Sequence, residues 1–127
     1  MVGGQHNDKD WIGYSDPNME HIPFPFPWVL ENFEGNGRDL FFNHLDSLKE
    51  KGLDPNRVAA FFVESFQGWG AVFYPTDYIQ AMREWSSANN CLLVFDEIQA
   101  GFGRTGKLFA YDHYEVEPVL VVCCKGI

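Results

Sequence analysis

Basic residues are scarce in this sequence. Nine Lys and Arg stand against eighteen Asp and Glu, a formal net charge of −9, and the nine are scattered along the chain. A phosphate backbone needs a stripe of positive charge, so nucleic-acid binding is not expected. Cysteine is nearly absent. Cys91, Cys123 and Cys124 make an odd count, and all three lie in apolar runs. They are expected to be reduced core residues and not a disulfide frame. No apolar run reaches the length of a membrane helix. The start, "MVGGQHNDKD", lacks the charged-then-apolar pattern of a secretion signal. The expected location is cytoplasmic, away from membranes.

Aromatic residues are plentiful, with 12 Phe and 4 Trp in 127 residues. That is ample material for one modest core and argues against a disordered chain. Residues 1–37 are Pro-, Gly- and Asn-rich ("DPN", "PFPFPW", "GNG") and are expected to be irregular, as a surface wrap. Phe24, Phe26 and Trp28 alternate, but the interleaved prolines favour a polyproline-like path over an edge strand.

Regular structure is expected from residue 38 onward. Phe41, Leu45 and Leu48 fall on one helical face, and Gly52 supplies a C-terminal stop, giving a helix at about 39–51. "VAAFFVE", Val58 to Glu64, reads as a strand buried on both faces. Thr76 is the expected cap of a second helix with Ile79, Met82 and Trp85 as its inner stripe, ended by "SSANN". "CLLVFD", Cys91 to Asp96, and "VLVVCC", Val119 to Cys124, read as two more buried strands. Between them lies a long loop with a short helix near 109–114. This alternation is the grammar of an α/β fold with a mostly parallel sheet and flanking helices.

Parallel sheets bind ligands at the carboxyl ends of their strands. Here the three strands run into Glu64, Asp96 and Lys125, which are expected to converge on one rim. Taken singly, Glu64 also fits a strand-end ion pair, and Gln99 a loop cap. A lysine beside apolar walls loses its charge readily, and its neutral amine can bond to an aldehyde. Pyridoxal phosphate uses a lysine in this way and needs a carboxylate at its ring nitrogen. Lys125 suits the first role and Asp96 the second.

Competing motifs fail on context. "GFGRTG", Gly101 to Gly106, matches G-x-G-x-x-G but does not follow directly on a strand or open a helix. "GFGRTGKL" has Leu108 where a phosphate loop needs Ser or Thr for magnesium. An ATPase reading rests only on these near-misses. His113 with Asp112, and the Cys123–Cys124 pair, lack metal-ligand spacing.

Three stretches, "FFVESFQGWGAVFYPTDYIQAMREW", "LLVFDEIQAGFGRTGKLFAYDHYEVEP" and "VVCCKGI", carry a likeness. The sequence resembles the class III, omega-amino-acid family of pyridoxal-phosphate aminotransferases over about Arg57 to Ile127, with an echo in "HIPFPFPW". The resemblance implies the aspartate aminotransferase-like large domain, a pyridoxal 5′-phosphate cofactor, and transamination from an amino acid or omega-amine to a 2-oxo acid. It implies Lys125 as the Schiff-base lysine, Asp96 on the pyridine nitrogen, Gln99 at the ring hydroxyl side and Glu64 beside the substrate. It also implies a homo-oligomer. Ser65 stands where the family usually has proline, and Val119 where it usually has aspartate.

The family's glycine-serine phosphate segment and its ring-stacking aromatic are not found in these residues. Residues 38–127 are therefore expected to be part of the large domain, with the small domain absent and the 127 residues inactive by themselves. The alternative is a non-catalytic truncated relative that folds by association with other chains.

Overall fold

The computed structural model describes residues 10, 11, 13 and 16–125. Parts of the expected irregular segment, and Gly126 and Ile127 after the lysine, lie outside the described residues.

Among the described residues three α-helices and three strands follow one another in the expected order, with one addition. Helix α1 spans Pro27–Glu31, inside the segment expected to be irregular. Pro27 opens it at the first helical position, where a missing N–H costs nothing and the fixed φ suits a helix. The aromatics around it stack as expected of neither a strand nor a free polyproline path. Phe26 lies flat on Trp28 (ring centroids 4.4 Å apart), and Phe24 tilts onto Tyr74 at 4.4 Å. Ile22, Val29, Leu30 and Phe33 pack against the core, so the segment does wrap the molecule.

Helix α2, Gly37–Glu50, has both ends fixed by local chemistry. Asn36 and Asp39 form a reciprocal capping box: the Asp39 N–H donates to Asn36 Oδ1 and the Asn36 N–H to Asp39 Oδ2, both at 3.1 Å. Such caps contribute about 1 kcal/mol. At the other end Gly52 takes φ +103°. The Leu53 N–H reaches the Leu48 carbonyl and the Gly52 N–H the Lys49 carbonyl, a Schellman closure.

Helix α3, Thr76–Ala88, departs from expectation at its start. Pro75 holds the cap position, Thr76 is the first helical residue, and no side chain caps the end. Asp77 instead receives the Arg38 N–H of α2 at 3.2 Å. Gly37 makes this approach possible, because a Cβ there would collide with the Asp77 carboxylate.

Strands β1 (Ala60–Glu64), β2 (Leu92–Asp96) and β3 (Leu120–Val122) form a parallel sheet in the order β1-β2-β3. Phe61 pairs with Leu93 and Val63 with Phe95. Val63, Leu93 and Phe95 share the buried cluster with Leu40, Phe41 and Leu45 of α2 and Tyr78, Ile79 and Met82 of α3. Each fully buried side chain of this size contributes about 1.5–3 kcal/mol.

The strands are not buried on both faces as their apolar runs predict. Phe62 and Leu92 are exposed, and Leu120 is 52% exposed. The third strand is also shorter than expected, ending at Val122. Of the three thiols only Cys91 is buried; Cys123 is half-buried and Cys124 exposed. The expectation of three core cysteines therefore holds for one, because the chain leaves the sheet before reaching the pair. Among the described residues no helix is long and apolar enough to cross a membrane.

Candidate active site

Strand alternation fixes the first two site residues. Glu64 and Asp96 are direct partners across β1 and β2. They lie two positions beyond the Phe62–Val94 pair, on the face opposite to the one that α2 and α3 cover. Asp96 is half-buried, and its Oδ1 accepts the Ile98 N–H at 2.8 Å. Its other oxygen accepts no hydrogen bond among the described residues. Glu64 is exposed and forms no ion pair among them; its Oε2 accepts the Gly68 N–H at 2.9 Å.

Gly68 connects these residues to Gln99. A Cβ on Gly68 would overlap the Gln99 side-chain amide, so only glycine lets the two approach. The loop carrying Gly68 is closed on itself. Gln67 and Val72 exchange backbone hydrogen bonds of 2.9 and 3.3 Å, and the Gln67 side chain accepts the Gly70 N–H. Trp69 stands at its tip, 81% exposed.

Lys125 sits three residues beyond the end of β3, after Val122 has paired with Asp96. It is exposed, so the apolar walls expected around it are not present among the described residues. It lines an open groove of about 590 Å³ with Gln99, Gly101, Phe102, Gly103 and Arg104. The groove brings together Lys125 and Gln99. Asp96 and Glu64 lie beside it on the strand ends and do not line it. The glycine loop opens no α-helix; turns run through 98–105, bends through 106–109, and a 3-10 helix, Ala110–Tyr114, follows. Among the described residues no group of three or more His, Cys, Asp or Glu side chains is placed to hold a metal.

Two residues that sequence reasoning missed hold this rim together. Glu97 alternates with Asp96, so its side chain enters the interior, where it is 0% exposed. Its two oxygens accept the N–H groups of Ala110 and Tyr111 at 3.0 and 2.9 Å. Its own N–H donates to Val122 at 2.8 Å, and its carbonyl accepts from Gly101 at 2.9 Å. One residue thus joins the ends of β2 and β3, the groove loop and the 3-10 helix. The acid following a buried strand was the available signal.

Tyr114 is the second. Burial pushes its phenol well above the ordinary range, so the hydroxyl keeps its proton. The hydroxyl donates to the Ser65 carbonyl at 2.5 Å and accepts the Tyr74 N–H at 3.1 Å, holding both ends of the 65–74 loop. Beside it, Ser65 is fully buried, and its Oγ has no hydrogen-bond partner.

Residues 2–127 match the family described as Aminotransferase class-III. The chain belongs to the class III aminotransferase family. Among curated relatives, the acetylornithine aminotransferase of Methanocaldococcus jannaschii is 40% identical over 87 residues, covering 68% of this chain and 21% of the relative. The acetylornithine aminotransferase 1 of Pseudomonas syringae pv. tomato is 35% identical over 127 residues, covering 99% and 26%. A solved taurine:2-oxoglutarate aminotransferase from Bifidobacterium kashiwanohense, in complex with PLP and glutamate, superposes with a TM-score of 0.72 at 30% identity. It covers 91% of this chain and 27% of its own. An omega transaminase from Pseudomonas jessenii shares the fold with a TM-score of 0.77 at 24% identity, covering 96% and 28%. The chain spans about a quarter of the length of these relatives. Its α/β architecture, a parallel sheet with flanking helices, is that of part of the large domain of pyridoxal-phosphate transaminases.

Proposed function

We propose that this chain carries the amino-transfer centre of a pyridoxal 5′-phosphate-dependent aminotransferase, acting from an amino acid or omega-amine to a 2-oxo acid. The observation that supports it most is the groove shared by Lys125 and Gln99 beside the Asp96 end of β2. When bound, the cofactor supplies an aldehyde and a protonated ring that draws electrons from the carbon losing its proton.

The residues fit that group. The groove is of small-molecule size. One Asp96 oxygen is fixed by Ile98 and the other is free to hold the proton of the ring nitrogen. The Gln99 amide, packed close to Gly68, would meet the ring hydroxyl. Among the described residues Lys125 is the one lysine that lines the groove; its amine would hold the cofactor through the aldehyde carbon, with loss of water, and would serve to move a proton to or from the substrate carbon. Glu64, whose carboxylate accepts the Gly68 N–H, would stand on the substrate side. The names of the relatives, for acetylornithine and for taurine with 2-oxoglutarate, support an amine donor and a 2-oxo acid acceptor.

Borohydride reduction of the chain with pyridoxal phosphate, followed by peptide mass mapping, tests the assignment. Label concentrated on Lys125 is expected. Equal label on Lys49, Lys51 and Lys107 removes it.

A second reading is a non-catalytic relative that folds by association with other chains. The exposed Phe62, Leu92, Val119 and Leu120 of the sheet favour it. The same apolar surface supports a homo-oligomer under the first reading. Light scattering on the eluting peak separates the two from a lone chain: a well-behaved monomer with a sharp unfolding transition argues against both associations.

A further inference from the structure

We infer that Arg104 is a carboxylate-binding residue of the groove, receiving a carboxylate of the amino donor or the 2-oxo acid. The inference deepens the function proposed above and rests on it for the choice of carboxylate over other anions.

Charge is the first support. The chain carries twice as many acids as bases, yet among the described residues the groove is lined by two cations, Arg104 and Lys125, one amide and no acid. Electrostatic focusing in such a cleft attracts anions against the sign of the whole molecule. The second support is that Arg104 is unengaged. The ion pairs among the described residues are Arg38–Glu84 and Lys49–Asp46. Nearby Lys107 is occupied, donating to the Asp112 carbonyl at 2.8 Å. Arg104 makes no hydrogen bond or ion pair among those residues.

The third support is backbone strain. Phe102 takes φ +56°, a left-handed conformation that costs a bulky residue about 1–2 kcal/mol. Gly103 follows at φ +89°. The turn is closed by Gly103 N–H to the Leu108 carbonyl at 3.2 Å and Gly106 N–H to Gly103 at 3.1 Å. The Phe102 ring is anchored edge-on to Phe109 at 5.6 Å. A strained turn held this way fixes where the next residue, Arg104, emerges. Strain of this kind clusters at ligand sites. The planar guanidinium fork matches a carboxylate with two parallel hydrogen bonds, which Lys125 cannot do.

Phenylglyoxal footprinting of the full chain tests the site without requiring turnover. Modification of Arg38, Arg57, Arg83 and Arg104 is followed by peptide mass in matched ionic strength of chloride, succinate or inorganic phosphate. Succinate is expected to slow Arg104 several-fold and leave Arg57 and Arg83 unchanged. Slowing by phosphate and not by succinate overturns a carboxylate site. Absence of slowing by either, or equal slowing at all four arginines, overturns any site at Arg104. Borohydride labelling of Lys125 in Arg104→Gln keeps the two proposals apart. Retained label with no succinate effect in the parent chain rejects Arg104 alone, whereas no Lys125 label in the parent rejects the reading beneath it.

Discussion

The layer between the helices and the sheet differs sharply from the strand-end rim. In the layer, Phe41, Tyr78, Ile79, Met82, Leu93 and Phe95 are fully buried, and Phe41 meets Phe61 and Tyr78 edge to face. At the rim, Lys125 and Arg104 are exposed, Phe102 is in a left-handed conformation, and glycines allow close approaches at positions 68 and 101. The contrast teaches a division of labour. The buried apolar contacts are concentrated in the layer, while the candidate site groups stand at strand ends, as Glu64 and Asp96 do, or on the loops beyond them, as Gln99, Arg104 and Lys125 do. Glu97 and Tyr114 connect the two, because each is buried yet bonds to rim backbone.

Substitutions graded across this divide should give graded losses of stability. Phe41→Ala removes a ring with 0% exposure from the centre of the layer. It is expected to cost about 3–5 kcal/mol in a denaturant titration. A loss close to zero would show that the layer is loosely packed and erase the contrast.

Glu97→Ala leaves the Ala110 and Tyr111 N–H groups without acceptors. Each buried unpaired group costs about 1–3 kcal/mol, so the midpoint should fall clearly. Borohydride labelling at Lys125 should fall with it, because Glu97 also bonds the end of β3. Stability loss with full labelling would place Glu97 wholly on the layer side.

Ser65→Ala runs the other way. The Ser65 hydroxyl is buried without a partner. Its removal should raise stability by roughly 1 kcal/mol, read as a higher denaturant midpoint.

A smaller effect follows pH. Half-burial of His44, hydrogen-bonded to Tyr78 at 3.0 Å, holds its imidazolium pKa below the ordinary value. The unfolded chain then binds the proton first. The His44 contribution is intact above about pH 6.5 and is lost as pH falls through that value toward the lower folded pKa. His44→Gln should flatten this limb of a stability–pH curve; an unchanged limb assigns it to another group.

Lys125→Ala should change stability least, within about 0.5 kcal/mol. It should nevertheless abolish the specific borohydride label. A large stability loss there would mean that the rim lysine belongs to the folded framework after all.

Much of this arrangement was legible in the chain. Phe41, Leu45 and Leu48, with Ile79 and Met82, identified the buried helical faces because helical spacing records directly which side is dry. The order of strands and their acidic ends was equally plain. Helix α1 was hidden because proline signals both a breaker and a first helical residue, and composition does not separate these uses. The apolar runs at 58–64 and 119–124 overstated burial: a run reports what a strand is made of, and Leu120 shows that a covering neighbour is a separate matter. At the site, Lys125 and Gln99 were readable from the resemblance and now share a groove. Glu97, Tyr114 and Arg104 were not singled out, since their partners are backbone groups or a turn shape that no local spacing encodes.

The sheet order β1-β2-β3 repeats the order of the strands in the chain. Each strand therefore joins beside the one already made, and none must be inserted between two others. As the chain leaves the ribosome, Glu64 can be placed first and Asp96 against it, with both helices already available to cover the growing edge. Lys125 is synthesised after all of them. The Lys125 amine thus meets a surface made from residues that precede it, and an interruption of synthesis between Asp96 and Lys125 yields a protein that has much of the layer but not that amine at the groove.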